Sequence, residues 1–129
     1  MITIIELQDL ARNRMEDARV LYEAGRYDGA FYICGYAVEM GIKKKICMTL
    51  GWPGYPSEKE FDKLKFLKTH DLDTLLHFSG VEKQIKEELF SEWSIVISWK
   101  PEIRYSSQKQ TEKSAKLLLE SAEALLNKL

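Results

Sequence analysis

Leu7, Leu10, Ala11, Met15, Ala18, Leu21 and Tyr22 recur at helical spacing, and Gly25 follows as a C-terminal stop. The pattern predicts a first helix over about residues 5–24. A second helix starts near Tyr27 and places Ala30, Phe31, Cys34, Ala37, Val38, Gly41, Ile42 and Ile46 on one broad face. Gly51 ends it, because Trp52-Pro53-Gly54-Tyr55-Pro56 cannot continue a helix. The link between the two is so short that they must form an antiparallel hairpin. The second helix is apolar almost all the way round, yet it carries Glu39 in its middle. Such a helix belongs at the centre of a bundle, buried on several sides. A carboxylate placed there needs a partner, since unpaired buried charge is costly.

Further along, Ser57 with Glu60 forms a capping-box pattern before a short basic piece, Glu58–Leu67, of weak helical character. Thr69 reads as the N-cap of a short helix through Phe78. Ser79 with Glu82 is a second capping box, opening a helix to about Ser98 with Ile85, Leu89, Trp93, Val96 and Ile97 inward and Pro101 closing it. Ser107 with Gln110 opens the last helix, in which Ala115, Leu118, Leu119, Ala122, Leu125, Leu126 and Leu129 repeat at i, i+3, i+4 and i+7. No strand alternation and no internal repeat stands out. The expectation is a single all-α domain over residues 1–129, an up-and-down bundle of four to five helices.

Composition narrows the function more than the fold. A chain of 129 residues that is 45% apolar and 30% charged is an ordinary globular domain. Its net charge of −1 gives no global basic field, which weighs against non-specific nucleic-acid binding but leaves room for a local basic patch. No apolar run reaches the roughly 18 residues of a membrane span. The N-terminal MITIIELQDL lacks the cationic start of a signal peptide, so a cytoplasmic protein is expected. Cys34 and Cys47 would lie about 20 Å apart on one helix, too far to bridge, and read as small core residues.

Tyr32, Tyr36, Glu39 and Lys43 line up on the side of the second helix opposite its core face. One reading is the wall of a groove, with tyrosines to stack on a base and Lys43 to meet phosphate. The other is a Glu39–Lys43 helix pair with two interface tyrosines and no ligand. Lys43-Lys44-Lys45 sits at a helix C-terminus, where the dipole favours cations. Lys59, Lys63, Lys65 and Lys68 form a second basic group, and Lys100, Arg104, Lys109, Lys113 and Lys116 a third. Their convergence would make an anion or RNA site. Arg104, beside Tyr105 at the junction before the last helix, could reach Glu39 across the bundle or hold a phosphate. His70 follows the expected cap at Thr69 and is a weak catalytic candidate, as is Arg104; His77 is seven residues on, not at the i,i+4 spacing of a zinc pair. Neither a metal site nor a cofactor is expected. There is no GxxxxGK[ST], GxGxxG or GxSxG motif.

Taken in order, Ala11 to Leu21 with Gly25-Arg26-Tyr27-Asp28-Gly29-Ala30, Ala37-Val38-Glu39 with Ile42-Lys43, Thr69-His70-Asp71-Leu72 with Leu75-Leu76, and Arg104-Tyr105 before a final amphipathic helix resemble the HEPN family. The resemblance implies a helical bundle of the nucleotidyltransferase substrate-binding-subunit type, usually a homodimer, whose cleft handles RNA or nucleotides in toxin–antitoxin and nucleotidyltransferase systems. Many HEPN proteins are metal-independent ribonucleases using an Arg and a His four to six residues apart. Here Lys109, Gln110 and Thr111 stand where that His would follow Arg104, and Lys63, Leu64 and Lys65 where the Arg would precede His70. The resemblance therefore points first to non-catalytic binding of nucleotide or RNA, or to partnership with a small nucleotidyltransferase, with Tyr32, Tyr36, Glu39, Lys43, Arg104 and Tyr105 as the binding residues. A divergent ribonuclease using Arg104 and His70 is one alternative. A structural adaptor dimerising through Tyr32, Tyr36, Trp52, Trp93 and Trp99 is another.

Overall fold

A computed structural model describes residues 1–57, 63–105 and 109–129. Helix α1 (Ile4–Glu23) opens on a true capping box, in which Thr3 Oγ1 accepts from the Glu6 amide at 3.2 Å and Glu6 Oε2 accepts from the Thr3 amide at 2.8 Å. That backbone bond holds the Glu6 carboxyl below its usual range. Leu7, Ala11, Met15 and Ala18 face inward, as the periodicity predicts. Gly25 takes φ 77°, the left-handed turn that lets Arg26 N donate to Leu21 O and sends the chain back antiparallel.

Helix α2 (Tyr27–Leu50) is the axis of the molecule, and Gly51 ends it in the left-handed region. It touches α1, the short helix α3 (Leu72–Phe78), the final helix α6 (Glu112–Lys128) and the 3₁₀ turn Pro101–Tyr105. Every residue assigned to its core face is buried. Cys34 and Cys47 are free and buried, as their spacing implies, and burial pushes the Cys34 thiol up to about 12. Leu118, Leu125 and Ala122 of α6 close the opposite side. Each leucine buried this way contributes about 1.5–3 kcal/mol. Asp28 Oδ1 accepts from Gln110 N at 2.5 Å and ties the chain ahead of α6 to the start of α2.

Several local expectations fail. A two-residue antiparallel ladder, β1 (Ile2–Thr3) on β2 (Gly54–Tyr55), pairs Ile2 with Tyr55 and Thr3 with Gly54. It is too short to alternate visibly. Asp71, not Thr69, caps α3, accepting from Asp73 N, while Thr69 Oγ1 accepts from Asp71 N one step earlier. Ser79 closes α3 rather than opening the next helix: its hydroxyl donates to Leu76 O and accepts from Val81 N. The following helix is also two, α4 (Glu82–Glu88) and α5 (Phe90–Val96), broken where Leu89 leaves helical geometry at φ −125° and ψ 42°. The break turns Ile97 outward, to 42% exposure, and Trp99 fills the interior instead. α6 starts from a Thr111–Ser114 box, four residues later than expected; Ser107 lies outside the described residues, as do Glu60 and Lys59. The architecture is nonetheless an all-α bundle, with six α-helices among the described residues.

One close approach positions the site. Trp99 lies flat on α2 at Gly35, where an added Cβ would fall 1.9 Å from the indole ring. Its Nε1–H donates to the Tyr32 carbonyl at 3.0 Å. Trp99 thereby holds the turn bearing Arg104 and Tyr105 against α2.

Candidate functional site

Glu39 is 1% exposed, and both of its oxygens are used. Lys43, one turn on, donates to Oε2 at 3.0 Å, and its ammonium also stands 4.9 Å from the centre of the Tyr55 ring. His70 Nδ1 meets Oε1 at 2.8 Å. A carboxylate braced by a lysine accepts, so the Nδ1–H of His70 donates to Glu39. The His70 side chain is 58% exposed. A sunken acid therefore holds one edge of an accessible imidazole. His70 reaches Glu39 because the segment before α3 crosses α2, with Tyr55 Oη donating to Leu67 O at 2.6 Å to fasten that crossing.

Arg104 does not reach Glu39. Its Nη1 donates to Tyr32 Oη at 3.2 Å, and its guanidinium lies 4.7 Å from the Tyr105 ring. The correction has a simple cause: Lys43 and His70 already occupy both oxygens of the carboxylate. Tyr32 Oη is also 3.3 Å from Tyr36 Oη. Tyr36 sits edge-on to Tyr32, Trp99 and His70, with ring centres 5.2, 5.0 and 6.1 Å away. Burial, followed by the bond to Tyr32, pushes the Tyr36 hydroxyl up to about 12, whereas the bonds from Tyr36 and Arg104 lower Tyr32. Either hydroxyl can donate in the Tyr32–Tyr36 bond. The tyrosine pair carries contact from Arg104 to the His70 ring.

Both ends of that chain open onto one cleft of about 1060 Å³. The segment 68–73 forms one part of it, α5 contributes Phe90, Trp93 and Ser94 with Ile97 just beyond, and Trp99–Tyr105 completes it. Of its acids, Asp73 pairs with Lys86 at 3.1 Å, Asp71 is used in capping α3 and accepting from Thr74 Oγ1, and Glu102 lines the cleft on the same turn as Arg104. Among the described residues Lys100 and Arg104 have no carboxylate partner. Two cations thus line the cleft outside any ion pair, with Glu102 in the same lining.

The three basic groups do not merge. Lys68, Lys100 and Arg104 line the cleft, but Lys43 is committed to Glu39, Lys109 lines a smaller hollow beside Tyr27, and Lys116 faces Glu120. His77 pairs with Glu82 at 3.2 Å, lowering that carboxyl, and takes no part. Among the described residues no group of three or more His, Cys, Asp or Glu could hold a metal. Phe90, Trp93, Ser94 and Ile97 escaped the sequence reading as site residues. Trp93 and Ile97 read as inward positions of one longer helix, while Phe90 and Ser94 drew no reading; the break at Leu89 separates α5 and places this face along the cleft.

The geometry defines a helical-bundle protein with a cleft of mixed polar and apolar lining. Residues 6–129 match the HEPN domain, and the chain belongs to that family. No curated protein and no solved structure matches it. Among the described residues no helix is long and apolar enough to cross a membrane.

Proposed function

We propose that this HEPN domain binds the phosphate backbone of a nucleotide or RNA in the cleft between α3, α5 and the Pro101–Tyr105 turn. One observation carries the reading: Arg104 and Lys100, without carboxylate partners, share a cleft with an imidazole whose Nδ1 is fixed by Glu39. An arginine whose guanidinium is in no ion pair suits a phosphate. In this reading the protein acts as a homodimer and as the companion of a small nucleotidyltransferase, in line with the family it belongs to. Calorimetry with nucleotides and short RNAs, together with a search for a nucleotidyltransferase that co-purifies, tests it. Binding is expected to weaken at least tenfold in Arg104→Ala. No binding and no companion would end the proposal.

The Glu39–His70 contact favours a second reading. A histidine held at Nδ1 by a buried carboxylate, with Nε2 toward a cleft, has the arrangement of a general acid or base. His70 would then take the proton of a ribose 2′-hydroxyl as that oxygen attacks the adjacent phosphorus, Arg104 would offset the charge that develops on the phosphate, and the P–O5′ bond would break with the 5′-oxygen taking a proton from water. Chelator-treated protein should cut single-stranded RNA, and His70→Ala should abolish cutting. Intact RNA after incubation with the wild-type protein would leave binding alone.

A further inference from the structure

Arg104 stands on a short 3₁₀ turn, Pro101–Tyr105, where a long side chain has many rotamers open to it. Three acids share its cleft: Asp71, Asp73 and Glu102. Asp73 is paired with Lys86 and Asp71 caps α3. Glu102, two residues before Arg104 on the same turn, has no ion-pair partner among the described residues. A guanidinium and a carboxylate so close in the chain are natural partners. Arg104 instead gives Nη1 to the Tyr32 hydroxyl of the central helix at 3.2 Å. The Tyr105 ring, 4.7 Å from the same guanidinium, leaves its charge intact.

Tyr32 holds this turn twice. Its carbonyl accepts from Trp99 Nε1 at 3.0 Å, and its hydroxyl accepts from Arg104. The Tyr32 ring is itself braced, edge-on to Tyr36 with centres 5.2 Å apart, and Tyr36 is edge-on to Trp99 at 5.0 Å. The two tyrosine hydroxyls are 3.3 Å apart.

We propose that Tyr32 is a positioning residue, whose hydroxyl aims Arg104 into the cleft and keeps the guanidinium from pairing with Glu102. The inference rests on the phosphate-binding reading above and adds the group that keeps the arginine's charge available. A hydroxyl suits this task because it is neutral: it orients the guanidinium without cancelling its charge, as a carboxylate would. It also takes only one of the five guanidinium donors. A partner on a helix fixes a side chain more closely than one on a loop, and an arginine already fixed loses less freedom when an anion arrives. Tyr32 thus acts through Arg104 and does not touch the anion. Among the described residues Lys100, the other unpaired cation of the lining, has no such hold.

Tyr32→Phe deletes the hydroxyl and keeps the carbonyl that Trp99 uses, so the turn stays docked and the melting temperature should barely move. In calorimetry on the full-length protein with ATP and with a short RNA, Tyr32→Phe should bind about tenfold more weakly. Adding Glu102→Gln should recover most of that loss, because the released arginine then has no acid to meet. In Arg104→Ala, Tyr32→Phe should cost nothing further. Undiminished binding by Tyr32→Phe would overturn the proposal and leave the phosphate site standing. A loss that Glu102→Gln does not recover would overturn it as well. If the wild-type protein binds neither probe, the phosphate reading falls, and NMR of the Arg104 guanidinium without ligand still decides the positioning. Separate Nη signals in the wild type that merge in Tyr32→Phe/Glu102→Gln support it; signals already merged in the wild type overturn it.

Discussion

The two sides of α2 are built by different rules. Toward α1 and α6 it meets long, regular helices through Ala30, Cys34, Val38 and Ile42, and the contact is almost wholly apolar, with Ser121 the one buried side-chain hydroxyl of α6. Toward α3 and the Pro101–Tyr105 turn it meets short pieces, held by single side chains: Asp71 as a cap, Tyr55 on Leu67 O, Trp99 on Tyr32 O, His70 on Glu39. The first side buries apolar area and resists change. The second spends α2's polar stripe on fixing an imidazole and an arginine at a cleft. Chemistry lies where helical regularity ends.

The sharpest separation should come from Leu118→Ala. It opens a fully buried site between α2 and α6 and should cost about 3 kcal/mol in urea unfolding. Ligand affinity of the molecules still folded should not move. Gly35→Ala strikes the seam between the two sides, since the new methyl would collide with Trp99. A loss of about 2 kcal/mol is expected, and here affinity should fall with it, because Trp99 holds the turn that bears Arg104.

Glu39→Ala should cost somewhat less, about 1–2 kcal/mol. Removing a buried acid normally costs about 3–5 kcal/mol by stranding its partner, but Lys43 and His70 both retain access to water. Denaturant midpoints of Glu39→Ala and Glu39→Gln, measured side by side, check the ranking; Gln should be the milder. Alkaline pH offers a smaller effect with a definite sign. Tyr36 is raised from 10.0 to about 12 in the folded state, so the native protein holds that proton longer than the unfolded chain does. The stability tied to it is complete below pH 10 and is lost as pH rises toward 12. Tyrosinate absorbance should show late-titrating residues, Tyr55 and Tyr36 among them, and Tyr36→Phe should remove one of them. Last, Phe90→Ala should change unfolding free energy by less than about 0.5 kcal/mol, as exposed substitutions do.

The sequence carried the first side of the molecule almost whole. α1, α2 and α6 each run long enough for the 3.6-residue period to declare itself, and Gly25 and Gly51 mark their ends through backbone geometry that few other residues accept. Burial of Glu39 and its pairing with Lys43 followed from the same period. The partner His70 did not, because its contact spans 31 residues and depends on how the chain crosses α2. α4 and α5 read as one helix because their apolar positions keep phase, and only the backbone turn at Leu89 tells them apart. Arg104 was a candidate with two partners left open, Glu39 or a phosphate, and the structure gives it Tyr32: spacing along the chain says nothing about which hydroxyl or carboxylate an arginine meets after a turn.

The account turns on Glu39 setting the proton of His70 at the cleft, and NMR of the imidazole nitrogens reads that directly. In the wild-type protein neutral His70 should carry its hydrogen on Nδ1, Glu39→Ala should shift it to Nε2, and added single-stranded RNA should move the wild-type Nε2 resonance. His70 carrying its hydrogen on Nε2 in both proteins, with no response to RNA, would contradict the account.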